Sequence, residues 1–156
     1  MKRIRWAVLG LFALMLAACG PAVVVENNTR FPVRVVVTSG GHSDVVSPSP
    51  GESSAVDASI GSFSASAVPD AEWIDYAKTT RSYLNEQLAN AANLTGPQLL
   101  DVIQRLKDIA GKIQSFESAA SSAAHCDGSI SESGDGAAGQ IVVSTGADGK
   151  LALTCK

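Results

Sequence analysis

The sequence predicts an α+β protein in which β-rich segments flank a long helical hairpin. Residues 22–68 are rich in valine and are interrupted by Gly, Pro and Asn, a pattern typical of short strands and turns. Residues 69–124 carry apolar side chains at helical spacing, with one short break. Residues 125–156 return to two apolar runs around a Gly-containing turn. We expect these segments to form one compact unit with a core of small aliphatic side chains, because aromatic residues make up only 5% of the chain.

Residues 22–68 are predicted to form a small β-rich module. The expected strands are 22–25, 32–38, 43–47, 52–58 and 61–68. Turns are expected at 27–30, at Gly40-Gly41 and at 48–51, where Asn, Gly and Pro are concentrated. The regular spacing of these short strands favours a small antiparallel sandwich or a curled sheet.

Residues 69–124 are predicted to form the helical hairpin. Asp70 is a suitable N-cap for a first helix over 71–92. Its inward face is expected to consist of Trp73, Ala77, Thr80, Leu84, Leu88 and Ala91. The linker to the second helix is short, so the two helices should pack in antiparallel orientation.

The second helix is predicted over 97–123 and has a recognisable start. Thr95 and Gln98 have the spacing of a capping box, and Pro97 stands in the first turn. On its expected solvent-exposed face, acidic residues precede basic ones by four positions, a spacing that predicts ion pairs between Asp101 and Arg105 and between Asp108 and Lys112.

Residues 125–156 are predicted to begin with a turn at 125–128 and a brief strand at 129–131. A β-hairpin should follow, with strands at 140–145 and 150–155. An isolated two-stranded hairpin is only marginally stable, so we expect it to pack on the helices or to extend the N-terminal sheet.

Residues 1–18 have the composition of an export signal. Lys2, Arg3 and Arg5 precede a run without charge from Trp6 to Ala18. A membrane-spanning helix needs roughly 20 apolar residues. The shorter run therefore fits a cleaved signal peptide better than a permanent span, with a plain signal anchor as the alternative.

The apolar run ends in Leu16-Ala17-Ala18-Cys19. These four residues resemble the lipobox L-[AS]-[GA]-C of bacterial lipoproteins at every position, and the resemblance covers residues 1–19 only. It implies that the Cys19 thiol receives a diacylglyceryl group with acyl chains such as palmitate. It further implies cleavage before Cys19, so that residues 19–21 become a lipidated tether.

The same resemblance implies an exported protein. Its lipid would anchor it to the outer face of the cytoplasmic membrane or to the outer membrane. Asp directly after the lipidated Cys typically favours retention in the inner membrane, so Gly20 at that position permits outer-membrane sorting. Stable anchoring requires two or three acyl chains, because one chain binds membranes only marginally.

Cleavage would make the chain more acidic. Removal of residues 1–18 would leave 138 of the 156 residues and would take away three of the 12 basic residues. The remaining 9 basic and 15 acidic residues give a net charge of −6 instead of −3. The mature chain has no basic cluster, which argues against nucleic acid and against anionic lipid headgroups as partners.

The chain contains three cysteines. If Cys19 carries lipid, Cys126 and Cys155 remain as a pair in an oxidising compartment, where a disulfide is favoured. That bridge would close a loop of about 30 residues and contribute roughly 3–4 kcal/mol in the chain-entropy model. The alternatives are two free thiols, or a catalytic pair of His125 and Cys126.

The sequence offers no catalytic set, so we expect a protein that is not an enzyme and uses no cofactor. His42, Ser43 and Asp44 are adjacent in one short segment, where neighbouring side chains point apart. With two histidines no zinc site is predicted. Four carboxylates of the C-terminal turns would suit calcium by chemistry, but their spacing fits no known loop, and solvated turns are favoured. They are Asp127, Glu132, Asp135 and Asp148.

Two hypotheses for function follow. The favoured one is a membrane-anchored interaction or structural module with an envelope protein or glycan as its partner. Tyr76 and Tyr83, together with Trp73 and Ile74, would form an exposed aromatic face for that partner, although such a face more often covers an adjacent sheet. The alternative is a small-ligand binder or sensor, with a pocket between hairpin and sheet around Trp73, Tyr76 and Phe116.

Overall fold

The structure is a computed structural model that describes residues 20–121, 123–131 and 138–156. Within these ranges it is an α+β fold with two four-stranded sheets and two long helices. No helix in the described ranges is long and apolar enough to cross a membrane. The predicted signal segment, its Leu16–Cys19 motif and the lipid-attachment residue Cys19 lie outside the described residues, as do Glu132 and Asp135.

The elements follow the predicted order of strands, helices and strands. The strands are β1 Ala22–Asn27, β2 Val33–Ser39, β3 His42–Val46, β4 Ser53–Asp57, β5 Gly61–Pro69, β6 Ala124–Ile130, β7 Ala138–Thr145 and β8 Leu151–Cys155. The helices are α1 Ala71–Ala89 and α2 Gly96–Ala119, with a 3₁₀ turn Ala91–Asn93 between them.

The strands divide into two sheets that both draw on the two ends of the chain. The β1 sheet has the order β4-β1-β7-β8, and the β5 sheet has the order β3-β2-β5-β6. Neighbouring strands are antiparallel except for β1 and β7, which are parallel. Strands β7 and β8 extend the sheet that contains β1 and β4, which is one of the two arrangements predicted for the C-terminal hairpin, and β6 extends the sheet that contains β2, β3 and β5.

The two sheets pack face to face because each has one apolar face to bury. Val23, Val25 and Ile141 from the β1 sheet share one buried cluster with Val35 and Ala65 from the β5 sheet. Each of these five residues is at most 1% exposed. This alternation of buried and outward side chains explains why small β-branched and alanine residues dominate the strands.

The predicted disulfide is present between Cys126 and Cys155, with a Cα–Cα distance of 5.8 Å. It joins β6 to β8, which are edge strands of different sheets. The bridge ties the two sheets together along one side of the sandwich.

Strand β6 occupies the segment that was predicted to be a turn at 125–128. It pairs with β5 in a register that sets Ala67 opposite Ala124 and Phe63 opposite Gly128. The second helix correspondingly ends at Ala119 rather than at residue 123, and the first ends at Ala89 rather than at residue 92. Pairing with β5 overrides the weak strand preference of Asp127 and Gly128.

The sandwich has two distinct ends. At one of them, the hairpin end, β1 finishes at Asn27, and Val33 at the start of β2 pairs with Pro69, directly before α1. At the other end, β1 begins at Ala22 opposite Asp57. We call it the proximal end, because it lies next to Gly20 and Pro21, where the described chain enters the sandwich. The β2–β3 and β4–β5 turns also lie at the proximal end.

Candidate functional site

The helical hairpin is attached to the sandwich by a cluster of three aromatic rings. Phe31, in the loop between β1 and β2, is completely buried. Its ring centroid lies 5.5 Å from that of Phe116 in α2 and 6.3 Å from that of Trp73 in α1. The Trp73 and Phe116 centroids are 5.6 Å apart. These contacts cover the hairpin end of the core and fix the position of both helices.

The same cluster occupies the region in which the ligand-binding hypothesis places a pocket. Trp73 and Phe116 pack against each other and against Phe31. Tyr76, the remaining residue of that hypothesis, is 68% exposed and does not join them. The aromatic residues thus have a packing role at this position, and Phe31, which was absent from the sequence-based prediction, completes the cluster.

Beyond this cluster the two helices bury side chains against each other. Asp70 accepts a hydrogen bond from the Glu72 amide and begins α1 as predicted. Gln98 Oε1 accepts from both the amide and the hydroxyl of Thr95, so the side chain of Gln98 closes the start of α2. The buried residues along the shared face are Ala77, Leu84, Val102 and Ile113. They do not belong to the buried cluster of the sandwich.

The predicted aromatic face of α1 is divided by the structure. Trp73 and Ile74 pack against the core, whereas Tyr76 and Tyr83 are 68% and 58% exposed. Tyr83 accepts a hydrogen bond from Gln87 Nε2 over 2.9 Å, which holds its ring along the helix. The tyrosines are therefore available to a partner, while the tryptophan belongs to the attachment of the hairpin.

One side of the hairpin carries what we call the tyrosine face. Its α1 row consists of Tyr76, Thr80, Tyr83 and Gln87, at the i, i+4, i+7 and i+11 spacing of one helix side. Thr80 and Arg105 border a depression of about 330 Å³ between the helices. Gln87 and Arg105 border a second one of about 420 Å³ nearer the tip. Both open to solvent, and together they form one shallow groove beside the tyrosines.

Charged groups of α2 line this groove. The predicted ion pairs are present, with 3.7 Å between Arg105 and Asp101 and 2.8 Å between Lys112 and Asp108. Because these groups are exposed, each pair contributes little to stability. The groove therefore carries positive and negative side chains near exposed tyrosines. Of these residue types, Tyr and Arg are enriched in protein interfaces.

The opposite side of the hairpin is more apolar. Leu99, Ile103, Leu106 and Ala110 follow one side of α2 at helical spacing, and Ile103 is 46% exposed. Leu100, beside this row, is 69% exposed. Lys78 and Glu117, 3.9 Å apart, join the helices near the base of this side.

The candidate catalytic residues do not form one set, because His42 and Asp44 border a shallow depression that Ser43 does not line. His42, Ser43 and Asp44 lie on the edge strand β3, where the Ser43 hydroxyl is 2.8 Å from that of Thr38. His125 lies on β6, at the opposite edge of the same sheet. Its neighbour Cys126 is in the disulfide. The predicted alternative of a His125–Cys126 pair is therefore excluded in this oxidised state.

The carboxylates of the C-terminal segment have separate local roles where the structure describes them. Asp127 Oδ1 lies 3.4 Å from His125 Nε2 on the exposed face of β6. Asp148 accepts a hydrogen bond from the Lys150 amide in the β7–β8 turn. Among the described residues no group of three or more His, Cys, Asp or Glu side chains could hold a metal ion.

No protein-family model, no curated protein and no solved structure matches this chain.

Proposed function

We propose that this protein is an exported, lipid-anchored envelope module without enzymatic activity, which binds another envelope protein through the tyrosine face of its helical hairpin. The anchor is the lipid on Cys19 implied by the lipobox resemblance. The lipid would insert into the outer face of the cytoplasmic membrane or into the outer membrane. The helical hairpin is the part of the protein that would bind the partner.

The observation that carries the proposal is the position of the hairpin in the sheet topology. Strands β5 and β6 are antiparallel neighbours, with Ala67 opposite Ala124. A turn of two to five residues usually suffices to join such strands. This chain instead inserts residues 70–123, which form two helices with a small core of their own. Since the sheet does not require this insertion, function is its best explanation.

The surface chemistry favours a protein as the partner. Tyr and Arg are enriched in protein interfaces, and they carry much of the binding free energy there. Arg105 borders the groove, and the exposed Tyr76 and Tyr83 belong to the same α1 row as Thr80 and Gln87, which also border it. A small-molecule site usually encloses most of its ligand. The open groove between α1 and α2 suits a protein segment better.

A site-specific crosslink tests the partner. A photo-reactive phenylalanine analogue at Tyr83 is expected to give a discrete protein adduct in intact cells. Val45 on β3 is a matched control, because it is 49% exposed against 58% for Tyr83 and lies on the sandwich. The adduct at position 83 should weaken at least several-fold in an Arg105→Ala background. Equal adducts at both positions, or an adduct that disappears on glycan digestion, would contradict a protein partner on this face.

The anchor is tested separately. A Cys19→Ala chain cannot accept the thioether-linked lipid and is expected to lose membrane attachment, or to accumulate with its signal uncleaved. Cell fractionation and metabolic labelling with a palmitate analogue measure both effects. Ser43→Ala, an exposed change on β3, is the control and should remain labelled in the membrane fraction. If the Cys19→Ala chain stays labelled and membrane-bound, the lipid anchor is wrong.

A further inference from the structure

Few residues separate Cys19 from the folded domain in the sequence. The backbone of Pro21 is already part of the fold, because its carbonyl accepts a hydrogen bond from the Ala58 amide over 2.8 Å. Strand β1 begins one residue later, at Ala22. A residue spans at most about 3.6 Å, so the three residue steps from Cys19 to Ala22 can span no more than roughly 11 Å. A lipid on Cys19 would therefore hold the proximal end of the sandwich at the membrane surface.

The proximal end is built from turns of both sheets that contact each other. Ser39 Oγ accepts a hydrogen bond from the Ser59 amide over 3.0 Å, which joins the end of β2 to the β4–β5 turn. Gly40 has a φ of +58°, and a Cβ there would meet Ser59 Cβ at 3.0 Å. The turns are thus fixed relative to β1 and to the point where the tether enters.

The chemistry of these turns suits the interfacial region of a bilayer. Residues 39–41 and 58–61 carry no charge. Ile60, at the tip of the β4–β5 turn, is 49% exposed. Among the described residues, Asp57, Asp44 and His42 border a depression next to the β4–β5 turn, and Asp127 borders one next to the β2–β3 turn. An exposed apolar side chain among uncharged turns can enter the boundary between headgroups and acyl chains without desolvating a charge.

We propose that the proximal end, with Ile60 at its tip, contacts the lipid bilayer and that the helical hairpin projects away from it. This orientation rests on the lipid anchor proposed above. Its partner is the bilayer that holds the Cys19 acyl chains. The proposal assigns membrane contact to the β2–β3 and β4–β5 turns, which are not part of the tyrosine face.

The orientation sets the reach of the tyrosine face. Strand β5 has nine residues, which corresponds to a sandwich about 30 Å tall. Tyr83 follows the start of α1 by 12 positions, or about 18 Å of helix. The outer end of the tyrosine face could then stand at most about 50 Å from the membrane surface, if α1 continues the direction of the strands.

A depth measurement tests the orientation. The purified lipidated protein with Ile60→Cys is labelled with an environment-sensitive fluorophore, while Cys126 and Cys155 remain oxidised. It is then bound to phosphatidylcholine vesicles that contain spin-labelled lipids. We expect a blue-shifted emission and at least twofold quenching. The control, Ala92→Cys in the turn at the hairpin tip, is exposed and should be neither shifted nor quenched.

Two readouts separate this inference from the anchor itself. Cosedimentation with vesicles reports the anchor, and its loss would overturn both the anchor and the orientation. If the protein cosediments but position 60 is unquenched, or position 92 is quenched equally, the orientation alone is wrong. A flexible Gly/Ser insertion between Gly20 and Pro21 should reduce the quenching at position 60. Undiminished quenching would overturn the role assigned to the short tether.

Discussion

At the scale of single residues, Asn27 determines how the hairpin end of the sandwich is closed. Its side chain is fully buried. Asn27 Nδ2 donates to the carbonyls of Phe31 and Pro48 over 3.0 and 2.9 Å, and Oδ1 accepts from the Thr29 amide over 2.9 Å. The Asn27 amide therefore ties the loop that carries Phe31 to Pro48, and the Thr29 hydroxyl, which donates to the Phe31 carbonyl, supports the same loop. The sequence showed a turn here but gave no sign that Asn27 would be buried.

Replacement of Asn27 by Ala should destabilise the protein by about 2–4 kcal/mol. The change leaves the Pro48 carbonyl and the Thr29 amide without their buried partner, and each unsatisfied group costs about 1–3 kcal/mol. Urea unfolding of the domain produced from Gly20 onward, without the signal segment and Cys19, measures the free energy of unfolding. Asn28→Ala is the matched control, since Asn28 is exposed and should change stability by less than about 0.5 kcal/mol. Equal effects of the two changes would contradict the role of Asn27.

At the scale of elements, β6 shows how a strand with weak local signals is specified by its neighbours. Gly128 lies opposite Phe63, and a Cβ at position 128 would approach Phe63 Cε1 to 2.7 Å and Cys155 Cβ to 3.1 Å. The absence of a side chain lets the buried Phe63 ring lie against the strand. Glycine at this position therefore serves packing between the sheets, although it resembles a turn residue in the sequence.

Two glycine substitutions should have opposite effects on stability. Gly128→Ala should cost about 1–3 kcal/mol, because the added methyl overlaps a buried ring that cannot move freely. Gly111→Ala in α2 should instead stabilise by up to about 1 kcal/mol. The nearest atom to its Cβ would be Arg30 Nη1 at 3.8 Å, and Ala is the better helix former. Thermal or urea unfolding measures both changes, and a stabilising Gly128→Ala would refute the packing argument.

The difference between local and non-local signals explains how much the sequence could predict. Helix starts at Asp70 and Thr95 depend on residues within one turn, and both starts are confirmed. The parallel pairing of β1 with β7 joins segments more than 110 residues apart and has no local signature. Helical spacing placed Trp73 on the inward face of α1, where the structure has it. It could not show that Phe31 would be its partner, because Phe31 reaches Trp73 from another loop.

At the scale of the whole molecule, the sandwich and the outer part of the hairpin are separable in their contacts. The aromatic cluster of Phe31, Trp73 and Phe116 joins them at the base. Beyond Ala77, the buried residues of the hairpin pack within the hairpin itself. This division suggests that the outer hairpin can change without loss of the fold below it, as expected for an element that serves binding.

A shortened hairpin tests this division. Deletion of residues 81–108, with Thr80 joined to Ile109 by a Gly-rich turn, removes the outer half but keeps the aromatic cluster. Thr80 and Ile109 border the same depression, so the new turn joins positions at one level. Stability should fall by no more than about 2 kcal/mol, since the deletion removes exposed pairs and the small core around Leu84, not the sandwich core.

The shortened protein should keep its native disulfide and a buried tryptophan but lose its partner. The proposed cleavage of the signal would remove Trp6 and leave Trp73 as the single tryptophan of the mature chain, so that its fluorescence would report the base of the hairpin. A photo-crosslinker at Tyr76, which the deletion retains, should give no adduct in the shortened chain and a clear one in the full hairpin. Loss of the Cys126–Cys155 bridge would show that the outer hairpin is needed for folding. An undiminished adduct would show that the partner does not use Tyr83 and Arg105.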